Sequence, residues 1–393
     1  MPESTKPPLQ GFQPFFFAAS SFAIVSVVIW TALYSFNWQG IAPIYAAMTW
    51  HAHAMIFGYA VAVIAGFLLT AIVNWTGRPT VQGWPLWLLF TLWLLARCLP
   101  FSHAPLWLTA VMDLSFMLLL IFACAKPIVQ ARQLQQAGIL GKLILISLAN
   151  ATFYLAALQG VYAWQQIGLY AGFYLIVALI LTMGRRVIPF FTERGLKTAY
   201  NPRNNAWVDR ASLLLFLVFM LAELVHIGSG HRFAQLLAGG LALLQFPLHL
   251  WRLAGWYDRG IWLKPLLWVL FIAYGWLTLG FLLKALSVVL PLSPSLAVHA
   301  FAYGGMGMMT AGMMARVILG HTEGQDVAAP TTAIRWIFLL LLLGNMARVL
   351  LPMLWPSTYT LWIILAQACW IAAFSVFAAI YWPMLWPKHS DQA

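Results

Sequence analysis

Apolar residues run along this chain in long blocks that short polar stretches separate. The blocks recur from Phe15 to Trp382, and each is about 20 residues long, the length that an α-helix needs to cross a bilayer core. Glycine and proline mark many of the boundaries. The pattern predicts an all-α, polytopic integral membrane protein with about 12 transmembrane helices, at 14–36, 52–73, 84–99, 105–126, 143–165, 168–190, 208–227, 233–254, 262–286, 297–318, 333–354 and 358–381.

The amino-acid composition also indicates an integral membrane protein and argues against a soluble domain. The 393 residues are 63% hydrophobic and only 8% charged, unlike any soluble globular domain. We therefore expect one transmembrane domain over residues 1–393, with no separate soluble domain. The three cysteines are scattered, which argues against c-type haem, iron–sulfur and structural zinc sites.

The positions of the basic residues predict how the protein is oriented in the membrane. The net charge is +12, and all basic residues except Arg97, Arg232, Lys284 and Arg348 lie at the termini or in the even-numbered loops. Because basic residues stay on the cytoplasmic side, both termini are predicted to be cytoplasmic. This distribution gives no support to nucleic acid as a partner, whereas membrane lipids are expected ones.

The predicted orientation sorts the histidines. His51, His53 and His299 fall near the outer face, and His321 falls near the inner face. His299 and His321 are separated by about 33 Å along one helix, so they cannot bind the same metal ion. His299 can share a site with His51 and His53.

The pair His51 and His53 is the strongest chemical signal, since imidazole at the edge of a hydrocarbon span is costly without a partner. Residues two apart diverge by about 200° on a helix, which favours different partners for the two rings. One could bind haem iron while the other binds copper or donates a hydrogen bond. Alternatively, an unwound first turn would let both face one ion, or both simply bond backbone carbonyls.

The tenth span supplies a matching set of residues. His299, Tyr303, Met306 and Met313 lie along one helical stripe. Thioethers bind copper(I) and haem iron, although methionine is more often core filler. The many glycines indicate close packing or a cofactor surface. His-Ala-x-Ala opens both this span and the second, by internal duplication or by a shared functional demand.

Arginines at the span edges need anions. Arg97, Arg316 and Arg348 are costly there, and only Asp113 and Glu223 lie clearly within spans. Haem propionates would neutralise Arg97 and Arg348 on the outer side. The other interpretation is ordinary snorkelling to lipid headgroups.

Several long motifs resemble those of the NnrS family, and the resemblance extends over the whole chain. The matching segments are GFQPFF at 11–16, WHAHAMIFG at 50–58, AGFLLT at 65–70, NWTGR at 74–78, GRRVIPFFT at 184–192 and GHT at 320–322.

The resemblance implies a bacterial inner-membrane protein that carries haem b and copper and acts against nitric oxide and nitrosative stress, as in denitrification. It makes His51, His53, His299 and His321 candidate metal ligands. One departure is Ala54, since the family commonly has a glutamate after the second histidine.

Two functions follow. A redox enzyme would hold haem, with copper nearby, at His51, His53 and His299, with cofactor contacts from Arg97, Arg348 and Met306. Tyr303 would donate a proton or an electron, and a quinol or a separate donor would supply electrons to reduce nitric oxide. A non-enzymatic haem or copper protein would instead sense, sequester or transport its ligand.

Overall fold

The protein is helical throughout the part that the computed structural model describes, which is residues 9–38, 40, 43–196, 200–322 and 332–386. Within these residues the chain forms twelve long helices, which we number α1 to α12. They comprise Phe12–Ser35, Ala47–Thr76, Trp84–Phe101, Leu106–Gln130, Leu134–Gln159, Tyr162–Leu196, Ala206–Ser229, Arg232–Gly255, Pro265–Val289, residues 294–321, Thr332–Leu354 and Pro356–Leu385.

Eleven of these helices are long and apolar enough to cross a membrane, which confirms a polytopic helical fold. The exception is α10, where glycine, histidine and tyrosine dilute the hydrophobicity. The predicted boundary between the fifth and sixth spans was wrong. The turn lies at Gly160, whose φ of 70° ends α5 in the left-handed conformation that glycine favours.

The bundle has a buried centre and a lipid-facing periphery. Helices α2, α6, α9 and α10 are the most enclosed, whereas α3, α7 and α8 bury only a third of their most apolar stretch. One hydrophobic core cluster includes side chains from all twelve helices. Leucine, valine and tryptophan cover the outside, as expected where lipid tails replace water.

Both ends of the described chain lie at one end of the bundle. The Gln13 side-chain amide donates a 2.8 Å hydrogen bond to the Leu385 carbonyl, and Phe17 packs edge-on against Trp386. We call this the terminal end and the opposite one the distal end. By the distribution of basic residues, the terminal end is expected to face the cytoplasm.

Glycines on α2 admit the aromatic side chains of α1. A Cβ on Gly66 would stand 2.7 Å from the Phe16 ring, and one on Gly58 would stand 2.6 Å from Phe22. On α10, Gly304 and Gly307 likewise receive Trp276 and Trp370. The small residues on these two helices therefore serve close helix packing.

Gly66→Ala should destabilise the fold, because the Phe16 ring is fully buried and cannot retreat. Overpacking of this kind costs about 1–3 kcal/mol. Thermal unfolding in detergent measures the effect. Gly240→Ala is the matched control, since its Cβ meets nothing within 4 Å, and equal midpoints for the two variants would contradict the packing account.

Candidate functional site

A cavity of about 420 Å³ opens between α2, α10 and their neighbours at the distal end of the bundle. This volume lies within the range of small-molecule and cofactor pockets, roughly 300–1,000 Å³. We call it the distal cavity. Most of its wall is apolar or aromatic, and its chemically active lining residues are His51, His299, Tyr303, Met306 and Arg348.

His51 faces the cavity with its ring held flat. The imidazole stacks on Trp30 with centroids 4.3 Å apart and planes 6° apart. Its Nδ1 is buried and has no hydrogen-bond partner among the described residues. A buried polar atom without a partner is costly, so this nitrogen is available to a ligand.

His299 is oriented as metal-binding histidines usually are. Its Nδ1 donates a 2.8 Å hydrogen bond to the Ser295 carbonyl, one turn earlier in α10. That bond fixes the tautomer and leaves the Nε2 lone pair for another partner.

A stretch of π-helix follows the histidines in both helices, at Ala54–Ala60 and at Ala300–Gly307. Wider turns of this kind are rare and are frequent at functional sites. Both helices remain regularly helical through their histidines, so the first turn of α2 is not unwound. The opening sequences of α2 and α10 are similar, and the two helices also share this π-helical backbone conformation.

Arg348 brings an uncompensated positive charge to the cavity. Its Nη1 is buried without a hydrogen-bond partner among the described residues, and the neighbouring phenols of Tyr34 and Tyr359 are neutral groups. None of the five ion pairs among the described residues includes it. An anionic ligand would complete this site.

Two phenols line the floor of the cavity. The Tyr303 hydroxyl donates to the Ala366 carbonyl at 3.0 Å. The Tyr59 hydroxyl donates to Thr310 at 2.7 Å, because the Thr310 hydroxyl in turn donates to the Met306 carbonyl. Both phenol protons therefore have acceptors within the protein.

His53 and Arg97 belong to a separate buried cluster. His53 Nε2 donates to the Asn150 side-chain oxygen at 2.9 Å, and the Asn150 amide donates to Asp113 at 3.1 Å. Tyr154 also donates to Asp113, which forms an ion pair with Arg97.

This arrangement differs from the shared site that we expected. Neither His53 nor Arg97 lines the distal cavity, since His53 lies on the opposite side of α2 from His51. Arg97 takes its counter-charge from Asp113 rather than from a propionate. The structure brings together His51, His299, Tyr303, Met306 and Arg348, and leaves these two outside.

The sequence of this chain matches one known protein family over nearly its whole length. The family model described as NnrS protein matches residues 9–388, nearly the entire chain. This chain belongs to the NnrS family. No protein of curated function matches it. Membership supports a membrane protein of the nitric oxide response.

The side chains that line the distal cavity of this NnrS protein are chemically compatible with a haem. The cavity offers imidazoles for iron, a buried guanidinium for propionates, and apolar walls. Copper has a weaker case, because the described residues contain no group of three or more His, Cys, Asp or Glu side chains that could hold a metal. The soft donors in the described cavity wall are the thioethers of Met48, Met55 and Met306.

His321 lies far from the other candidate ligands, as the helix length predicts. Its Nδ1 donates to the Val317 carbonyl at 2.8 Å, and its ring contacts Phe12 at the terminal end. It lines a second cavity there.

Ala54 occupies apolar surroundings. Its side chain is buried in a small cluster with Trp30 and Trp50. A carboxylate at this position, which the resemblance to the family led us to expect, would lie beside the His51–Trp30 stack and add negative charge close to the cavity.

Sequence reasoning missed several residues that shape the site. Trp30 supports His51, Ser295 orients His299, and Tyr59 closes the floor. Ser295 was detectable in principle, because it precedes His299 by one helical turn. Trp30 carried no such signal, since its contact with His51 joins two different helices.

Asp113→Asn should destabilise the protein strongly, by about 3–5 kcal/mol, because it leaves Arg97 buried without its counter-charge. The double variant Arg97→Met/Asp113→Leu should recover most of that loss. Chemical or thermal unfolding of the detergent-solubilised protein measures both. If Asp113→Asn were as stable as the unmodified protein, the Arg97–Asp113 ion pair would not form as described.

Proposed function

We propose that this NnrS-family protein binds a b-type haem in the distal cavity and takes up nitric oxide there. The observation that carries the proposal is the convergence of two imidazoles and one uncompensated arginine on a single apolar cavity. Imidazole is the common axial ligand of haem iron, and arginine pairs well with carboxylates.

The geometry favours His299 as the iron ligand. Its Nδ1–H is anchored on Ser295, the arrangement that orients a ligating histidine and raises its basicity. His51, held flat by Trp30, then lies in the other wall with an unsatisfied Nδ1. Arg348 would hold a propionate. When bound, haem would supply an iron centre with affinity for nitric oxide.

Catalytic reduction is the redox form of this proposal. Two molecules of nitric oxide, two electrons and two protons give nitrous oxide and water, with the electrons coming from a quinol or a separate donor. Tyr303 would deliver a proton from the floor of the cavity. Copper would bind, if present, through His51 with the Met55 and Met306 thioethers.

Non-enzymatic handling of nitric oxide is the second candidate, as a sensor, sink or transporter. This candidate is favoured because the Tyr303 hydroxyl already donates its proton in a hydrogen bond to the Ala366 carbonyl and is less available to a substrate. No carboxylate lines the described walls of the cavity, so a proton relay there would have to use imidazoles, phenols and aliphatic hydroxyls. In either form we place the protein in the bacterial inner membrane, with the distal end facing outward.

Haem content tests the ligand assignment. His299→Ala should lose most of its haem after purification, and Arg348→Gln should lower haem affinity about tenfold, the scale of an outer contact to a bound cofactor. His231→Ala is the matched control, because this exposed histidine lies at the distal end outside the cavity. Haem retained in full by His299→Ala would contradict the assignment.

Nitric oxide consumption by the haem-loaded protein, with a reduced quinol analogue, separates the two functions. Tyr303→Phe should slow consumption by about 10²-fold if the phenol delivers a proton, with unchanged haem bands. Tyr59→Phe removes the neighbouring phenol and should leave the rate near normal. No consumption by the unmodified protein, despite nitric oxide binding, would favour the non-enzymatic form.

A further inference from the structure

Two arginines at the terminal end each lie over one of two neighbouring aromatic rings. The Arg194 guanidinium lies 4.4 Å above the Phe190 ring, and the Arg316 guanidinium lies 4.1 Å above Phe191. The two rings are 5.3 Å apart. Stacked guanidinium groups are planar forks that match the oxygens of phosphate.

Arg316 is not a loop residue placed there for topology. It lies within α10, five residues before the helix ends at His321. One nitrogen donates to the Leu266 carbonyl at 3.0 Å, but Nε is buried and has no hydrogen-bond partner among the described residues. The side chain is fixed rather than extended towards water.

These arginines line a cavity of about 780 Å³, which we call the terminal cavity. Arg186, Lys264 and His321 also line it, whereas its described lining contains no carboxylate. The Arg194 and Arg316 guanidinium groups therefore give this cavity a positively charged wall.

The inner part of the same cavity is apolar. Phe67, Met183, Val187 and Met313 line it, and the same four residues line a smaller cavity of about 80 Å³ that is almost wholly apolar. A hydrocarbon chain fits this part, while an anion fits the basic wall.

We propose that the terminal cavity binds an anionic phospholipid, with the phosphate between the Arg194 and Arg316 guanidinium groups and an acyl chain along Phe67 and Met313. Basic pockets between transmembrane helices on the cytoplasmic side are typical sites for anionic headgroups. The site is separate from the distal cavity, and its occupancy does not require haem.

Native mass spectrometry of the delipidated, detergent-solubilised full chain tests the proposal, with phosphatidylglycerol and phosphatidylcholine of identical acyl chains as probes. Phosphatidylglycerol should bind at a saturable site and clearly more tightly than phosphatidylcholine. Arg194→Gln should weaken it by roughly fivefold, the effect of one cation near a headgroup. Arg316→Gln should weaken it further.

Arg210→Gln is the matched control, because this exposed arginine lies at the same end of the bundle outside the cavity. It should leave affinity unchanged. Arg194 is itself exposed, so its variant should fold even if Arg316→Gln does not. Equal binding of the two lipids, or equal losses in Arg194→Gln and Arg210→Gln, would overturn the proposal. Full displacement of the lipid by millimolar inorganic phosphate would also overturn it, because the site would then be one for a free anion.

Discussion

The structure depends on how positive charge is stabilised inside an apolar bundle. Most buried cations have a carboxylate: Arg97 has Asp113, Lys284 has Glu223, and Arg252 has Asp209. Arg348 and Arg316 have none among the described residues, and each faces a cavity. Because a charge in such surroundings needs an anion, these two exceptions are the places where we propose that a ligand completes the protein.

Helical geometry then decides which histidines act together. His51 and His53 are adjacent in sequence, yet α2 turns one towards the distal cavity and the other towards Asn150. His299 joins His51 from another helix at the same depth. The π-helical stretches after the histidines widen both helices beside the site, and the glycines of α10 let Trp276 and Trp370 pack close.

The fold and part of the site were predictable from sequence. The apolar blocks identified the twelve long helices, eleven of which are apolar enough to cross a bilayer. The divergence of about 200° between residues two apart anticipated the separation of His51 from His53. The α5–α6 turn was misplaced, since Gly160 interrupts a continuous apolar stretch without charge or proline. We assigned a propionate to Arg97 because its ion pair with Asp113 joins two different helices, α3 and α4. The periodicity within one helix does not reveal such a contact.

The most direct test is the absorption spectrum of the purified protein, reduced with dithionite, before and after nitric oxide is added. We predict b-type haem bands that nitric oxide shifts, because the account assigns only one imidazole, that of His299, to hold the iron. Absence of haem bands would contradict the central claim. Haem bands that nitric oxide does not change would mean that both axial positions are already filled, which the account also excludes.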